Sequence, residues 1–339
     1  MTGKPALSVV LATHNRGPLL RRLLEQLATQ TLPADQFEVI VVDDGSAEPA
    51  ESFVKDLQTP YALKFVRQQN AGAAAARHNG LSVASGRIAV VTDDDMKVPS
   101  TFLEAHLRHH QDGQRRVVLG EIRPDEQLDA MPLFERLRAF HLRRLAVRWV
   151  EGSAKIVGNN VCSGNVSFPL ADYKAVGGFD ASLKRSEDAE LGLRLEGAGL
   201  ELVFDRDAHV LHASDHVDLQ KWMASTERYG RFDQRIGDKH PGLAHADPYR
   251  YLFNQALPKR PLLALTLVAP WLAPPASRAL MGLGDAIAGA GFERVALWAA
   301  GLAHDLQYFR GLREEAGTLS KTVHRVLEYR RKARRASAP

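Results

Sequence analysis

Four short apolar runs punctuate the first 125 residues: "LSVVLA" (7–12), "FEVIVV" (37–42), "ALKFV" (62–66) and "IAVVT" (88–92). Each is a short, apolar, strand-favouring run too short for a helix, so each predicts a strand. Between the first two, "GPLLRRLLEQLATQ" puts Leu20, Leu24 and Leu27 on one helical face with arginines opposite. "AAAARHNGLSVASG" and "STFLEAHLRHH" predict two further helices. Near-continuous apolar strands alternating with helices imply an α/β fold, a parallel sheet covered on both faces. Such sheets bind ligands outside the carboxyl ends of their strands. The polar clusters of this chain fall mostly at those ends.

Later strand-like pieces are "NVSF" (165–168), "LELVF" (200–204) and "AHVLH" (208–212), set among helical segments. From about Leu257 the pattern changes to proline-punctuated apolar stretches and then to a helix, "FERVALWAAGLAHDLQYFRGL". There Val295, Trp298, Leu302, Leu306 and Phe309 form one stripe.

Four clusters carry candidate chemistry. "VVDDGS" delivers Asp43 and Asp44 to a turn, which a turn preference alone also explains. "VVTDDDMKVP" ends a strand in Asp93, Asp94 and Asp95. Carboxylates about 6 Å apart at an effective dielectric of about 20 repel by roughly 3 kcal/mol. In extended backbone Asp93 and Asp95 share a face and Asp94 points away. Two hard oxygen ligands so placed suit a divalent cation that also keeps waters and substrate phosphates. In "QNAGAAAARHNG", Arg77 lies about one and a half turns into a helix, where it can pair with acids or fork onto a phosphate. In "KRSEDAELGLRL", Ser186 reads as a helix N-cap and Leu191 and Leu195 face the core. Glu187 and Asp188 suit the macrodipole there, or hold a carboxylate as general base.

Taken in order, "SVVLATHNR", "VIVVDDGS", "NAGAAAARHNG", "GRIAVVTDDD", "SGNVSFPL", "VGGFD" and "SEDAELGLRL" resemble the family 2 glycosyltransferases, over residues 6–216. The resemblance implies a GT-A fold, a Rossmann-like mixed or parallel sheet flanked by helices, with a helical C-terminal extension. It implies an inverting enzyme that moves a sugar from a nucleotide-sugar, UDP-linked in the commonest relatives, to an acceptor hydroxyl. The acceptor would be a carbohydrate, a lipid-linked species or a small molecule.

Carried over residue by residue, Thr13 with its neighbours Asn15 and Arg16, and Asp43 with Asp44, border the nucleobase and ribose. Arg77 lies against the nucleotide. Asp95 matches the main ligand of Mn²⁺ or Mg²⁺, with Asp93 or Asp94 contacting ribose or the metal's waters. Counting back from Pro99 shifts that register by one. Asp188 matches the catalytic base, with Glu187 beside it. Gly164, Asn165 and the loop of Gly178, Phe179 and Asp180 line the sugar and acceptor pocket. His212 stands where some relatives place a third metal ligand, or is a core histidine. The implied divisions are 1–125 (nucleotide-sugar half), 126–256 (acceptor half), 257–320 (helical extension) and 321–339 (basic tail).

Composition adds limits. The chain has 339 residues, 45% hydrophobic and 25% charged, enough for two domains and unlike a disordered chain. One cysteine, Cys162, excludes an internal disulfide and fits a reducing, cytoplasmic compartment. "MTGKPALSVVLATHNR" enters a strand pattern without an apolar leader segment. The formal charge of +4 is uneven: Lys321–Arg335 holds seven cations and one acid. A basic tail on a mildly acidic body suggests an anionic surface, and no nucleic-acid partner is expected. "PLLALTLVAPWLAPPAS" is too short and too proline-rich to span a bilayer. With the 292–312 stripe it predicts either a helical subdomain or a peripheral contact with anionic lipid at the inner face of the cell membrane.

Two other readings share the fold: a sugar nucleotidyltransferase, disfavoured by the lack of a basic Gly-rich loop near residue 15, and a catalytically silent sugar-binding scaffold. A dinucleotide-dependent oxidoreductase is disfavoured, since no strand is followed by a Gly-x-Gly-x-x-Gly turn.

Overall fold

A computed structural model describes residues 4–336, with side chains to 333. Residues 337–339 and the Arg334 and Arg335 side chains of the expected basic tail lie outside the described part. The chain divides into two units, 4–127 with 141–215, and 128–140 with 216 onward.

The first unit is built on one sheet of eight strands: β1 (Leu7–Thr13), β2 (Phe37–Asp43), β3 (Ala62–Arg67), β4 (Ile88–Asp93), β5 (Met96–Lys97), β6 (Arg116–Pro124), β7 (Asn165–Pro169) and β8 (Glu201–His212). Their spatial order is β3-β2-β1-β4-β7-β6-β8-β5. β3, β2, β1 and β4 are parallel, β7 is antiparallel to both its neighbours, β6 and β8 run parallel, and β5 caps β8 antiparallel. The sheet is therefore mixed.

Strand alternation divides the core in two. Leu7, Val9 and Leu11 of β1, Val39 and Val41 of β2, and Val90 of β4 pack with Leu20, Leu23, Leu24 and Leu27 of α1 (Gly17–Leu27). Each of these leucines is fully buried, worth about 2 kcal/mol of transfer free energy. The intervening Val10, Ile40, Val42, Ala89 and Val91 face α2 (Ala73–Ser82), together with Phe168 of β7. A Cβ at Gly80 would stand 2.6 Å from Val10 and 2.9 Å from Val42, so glycine lets α2 lie flat on the sheet. α3 (Phe102–Arg108) packs Phe102, Leu103 and Leu107 into the first cluster.

The seven apolar runs read from the sequence all become strand, with "LELVF" and "AHVLH" joined in β8 opposite a bulge between Gly120 and Ile122. β6 was not legible. Its "RVVLGEIRP" carries charges at both ends and a central glycine, and its apolar positions divide between the two cores, Val117 and Leu119 in one and Ile122 in the other.

α4 (Leu133–Val150) contributes its first eight residues to the second unit and the remainder to the first. α5 (Leu170–Ala175) and α6 (Glu187–Gly197) complete the first unit. The second unit contains α7 (Leu219–Lys239), α8 (Arg250–Asn254), α9 (Arg260–Val268), α10 (Ala273–Gly289), α11 (Glu293–Ala316) and α12 (Leu319–Ala336). The expected acceptor half, 126–256, thus contributes α7 and α8 to the helical unit, which begins before the compositional change at Leu257. Of the two readings of the α11 stripe, a helical subdomain or a membrane contact, the burial of its side chains fits the first. Leu302, Leu306 and Phe309 are core residues, and only Val295 and Trp298 are half exposed. Ala296, Ala299, Ala300 and Ala303 are buried too, so α11 is enclosed on several sides. Among the described residues no helix is long and apolar enough to cross a membrane.

At the amino ends of the strands Glu38 ties the sheet together. Its carboxylate accepts from Ser8 Oγ (2.6 Å), Lys64 Nζ (2.6 Å), and Ser85 N and Oγ (2.7 Å each). Burial alone would raise this carboxyl; the hydrogen bonds more than reverse that and hold it at about 2. A carboxyl depressed on folding stabilises the protein fully above its ordinary pKa and ceases to as pH falls through the folded value. Glu38→Gln should therefore lower stability by about 2 kcal/mol at pH 7. The gap to wild type, measured by urea denaturation, should shrink as pH falls from 4.5 towards 2.

Candidate functional site

The carboxyl ends of β1, β2 and β4, the 94–95 turn, the first turns of α2 and α6, and the end of β8 bring most of the sequence-derived residues together. Asp43 and Asp44 brace loops. Asp43 accepts from the amides of Ser46 (2.8 Å) and Ala50 (3.0 Å). Burial opposes its charge, but those donors lower its pKa. Asp44 accepts from Gln68 Nε2 and the Ala71 amide (2.8 Å each) and from the Gly72 amide (2.9 Å), fixing the start of α2. Asn15, at φ 57°, takes Ser46 Oγ on its amide and the Ala47 amide on its side chain, joining the β1 and β2 loops.

β4 ends at Asp93, and residues 94–95 form a turn, so the strict alternation expected of the triplet stops there. Asp93 goes to Arg77 Nη2 at 2.6 Å. Asp94, expected to point away, is buried beside Asp95. It accepts from Thr13 Oγ1 (2.7 Å) and Arg16 Nη1 (3.1 Å), and the same Nη1 reaches Asp95 Oδ2 at 3.1 Å. Arg16 Nη2 binds Asp215 Oδ1 at 2.8 Å. His212 Nε2 lies 3.6 Å from that same Asp95 Oδ2. Burial pushes Asp94 up to about 6 despite its ion pair with Arg16 and its hydrogen bond from Thr13.

Arg77 is 7% exposed and spans from Asp93 to Glu187 Oε1 (2.7 Å). Burial works against its charge, and Asp93 and Glu187 outweigh it, raising its pKa. Glu187 is raised by burial and by Asp188, with Arg77 opposing. Asp188 Oδ2 accepts from Ser163 N (2.9 Å) and Oγ (3.2 Å), and its Oδ1 from the Ala189 amide. Ser186 stands at the N-cap as expected, but with φ 57° and no side-chain cap bond. Leu191 and Leu195 are fully buried as expected. A Cβ at Gly192 would meet Gly158 O at 2.0 Å, a close approach that seats α6 against the 158–160 turn.

The pocket residues expected from "SGN" and "GGFD" are mostly structural. Asn165 is 1% exposed. Its side-chain amide binds His106 Nε2 and the carbonyls of Glu121 and Ala208. Phe179 is buried in the α2-side core, Gly178 gives its carbonyl to Arg194, and Asp180 closes a turn onto Ser182. Gly164 lies under the triplet: a Cβ there would stand 3.2 Å from Asp93 Oδ2. Ser163, which opens the "SGNVSFPL" motif, and Asp215, which no motif includes, were not singled out from the sequence; they reach partners 25 and 199 residues away.

The donors around Asp95 are hard carboxylate oxygens and one imidazole, a set that suits Mn²⁺ or Mg²⁺. A cation of another kind, the Arg16 guanidinium, already bridges Asp94 and Asp95, so the cluster is organised around positive charge. Asp95 Oδ2 and His212 Nε2, 3.6 Å apart, are two donors whose chemistry fits such a divalent ion.

Residues 8–132 match the family model described as Glycosyl transferase family 2. The chain is 29% identical over 277 residues to validoxylamine A glucosyltransferase of Streptomyces hygroscopicus subsp. jinggangensis (strain 5008), covering 70% of this chain and 62% of that one. It is 30% identical over 241 residues to pre-mycofactocin glycosyltransferase of Mycobacterium tuberculosis (strain ATCC 25618 / H37Rv), covering 69% of this chain and 48% of the relative. The matches thus span between about half and two thirds of these relatives' length. The fold resembles the mannosyltransferase PcManGT of Pyrobaculum calidifontis, solved in complex with GDP-Man and Mn²⁺, at TM-score 0.64 and 22% identity, over 91% of this chain and 86% of that one. Residues 8–132 thus match a family 2 glycosyltransferase domain, and the mixed sheet with flanking helices is the GT-A fold.

Arg77→Met would strand Asp93 and the buried Glu187 without their shared cation. It should cost about 3 kcal/mol, read as a lower denaturation midpoint at unchanged slope. An Arg77→Met protein as stable as wild type would show that the bridge contributes nothing to the fold.

Proposed function

We propose that this chain is an inverting glycosyltransferase that moves a sugar from a nucleoside-diphosphate donor to an acceptor hydroxyl. One observation carries the reading: Arg77 joins Asp93 of the acidic triplet to Glu187 beside Asp188, so the donor-side and acceptor-side carboxylates meet in one place. Asp188 is the general base. Ser163 and the Ala189 amide fix its orientation, so it acts by position on an acceptor hydroxyl that attacks the anomeric carbon from the face opposite the leaving group. Asp95, with Asp93 or Asp94 and His212, would hold Mn²⁺ or Mg²⁺, which when bound supplies positive charge to the departing diphosphate. Thr13, Asn15, Asp43 and Asp44 act on the donor mostly by fixing the loops that surround it. The base is uracil on the family pattern, while a structural neighbour holds GDP-Man, so both donors belong in the test.

Incubation with Mn²⁺ and a panel of UDP- and GDP-sugars should release nucleoside diphosphate with one donor. Asp95→Ala and Asp188→Asn should each reduce turnover at least about a hundredfold. Release of pyrophosphate, or binding of every donor without turnover, would overturn the reading.

We further propose that the helical unit meets an anionic membrane surface. α12 exposes Leu319, Val323 and Leu327 on one stripe, with Lys321, Arg330 and Arg331 also exposed. Leu262, Leu265 and Val268 of α9 and the following Trp271 and Leu272 are exposed as well. Apolar side chains flanked by cations suit the interface of an anionic bilayer. The protein should sediment with phosphatidylserine vesicles at low salt, less so at high salt, and less after Trp271→Ser with Leu272→Ser. Equal sedimentation with neutral and anionic vesicles would refute it.

A further inference from the structure

We propose that Arg16 is a resident counter-cation of the acidic triplet, one that must leave Asp94 and Asp95 for the donor's diphosphate before a divalent cation can settle there. The inference rests on the glycosyltransferase reading and adds an order to it: cation and nucleotide enter together.

The geometry is specific. One guanidinium nitrogen of Arg16 stands 3.1 Å from both Asp94 Oδ1 and Asp95 Oδ2, and another stands 2.8 Å from Asp215 Oδ1. Asp95 Oδ2 is also the oxygen that His212 Nε2 approaches at 3.6 Å, so the arginine holds the atom where the oxygen and imidazole donors converge. A guanidinium and a divalent ion on one carboxylate oxygen repel each other strongly at the low effective dielectric of a partly buried site. The two cations therefore exclude each other from Asp95. Arg77 cannot yield in this way, because it is buried and held between Asp93 and Glu187. Arg16 is a quarter exposed, on the loop before α1, and one of its anchors, Asp215, is half exposed.

A metal ion arriving alone displaces Arg16 from two buried carboxylates without bringing an anion in exchange. A diphosphate arriving with the ion offers the guanidinium a forked, charge-assisted partner of its own. Metal and nucleotide thus help each other, and each raises the other's affinity by the same factor. A guanidinium that stayed in place would repel the metal equally with and without nucleotide, leaving that factor independent of Arg16.

The test is Mn²⁺ binding followed by the paramagnetic resonance signal of free Mn²⁺, with no turnover required. Wild type, Arg16→Gln and Asp215→Asn are titrated with Mn²⁺ alone, with saturating UDP and with saturating GDP. Arg16→Gln should bind Mn²⁺ alone at least about tenfold tighter than wild type, and the factor by which nucleotide tightens Mn²⁺ should fall to match. Asp215→Asn, which loosens the arm while removing a negative charge, should also bind Mn²⁺ alone more tightly, a gain that the charge loss by itself opposes. An unchanged nucleotide factor in Arg16→Gln, where wild type does take up Mn²⁺ with nucleotide, overturns this inference and leaves the glycosyltransferase reading standing. No Mn²⁺ uptake by any of the three proteins with either nucleotide overturns both.

Discussion

The convergence of carboxylates at one edge of the sheet is the constraint on which the rest of the first unit depends. Asp93, Asp94, Asp95, Glu187 and Asp188 come from a strand end, a turn and a helix start, and each must be held against its neighbours. Two arginines meet that demand differently. Arg77 is buried and bridges Asp93 to Glu187, binding the two halves of the site into one body. Arg16 sits nearer solvent, across Asp94 and Asp95. Taking one cation out of a buried cluster leaves charges that neither water nor protein can satisfy, so fold and site are electrostatically inseparable.

Around that centre, other acids act on backbone. Asp43 and Asp44 accept from four main-chain amides between them and thereby set the loops after β2 and before α2. Asn165 ties β7 to β6 and β8 through the Glu121 and Ala208 carbonyls, and His106 connects it to Ser167. Burial lowers His106 to about 4, so it stays neutral at pH 7 and the network keeps one pattern. Rigid loops of this kind matter in a site whose base works by position.

The second unit obeys a different logic. α11 carries alanines and glycines where helices approach closely, so it reads as amphipathic only if those small residues are left out of the stripe. Its aromatic residues pack in sequence, Tyr308 against both Tyr251 and Phe309. Apolar side chains left outside, from α9, α12 and the turn after α9, are what the folded unit does not cover itself.

The sequence alone determined the sheet's parallel core, the buried faces of α1 and α6, and the clustering of acids at the strand ends. Those follow from local rules: β-branched runs between turn residues, leucines at helical spacing, and acids at strand ends. Tertiary structure decided where each site side chain is used. Asp94 turned inward because the strand stops at Asp93, Asp44 went to backbone amides, Asn165 and Phe179 were committed to the interior, and Ser163 and Asp215 joined from far along the chain. The physical reason is that a buried polar atom takes whichever partner the fold brings within about 3 Å, and sequence spacing sets no such distance across different elements.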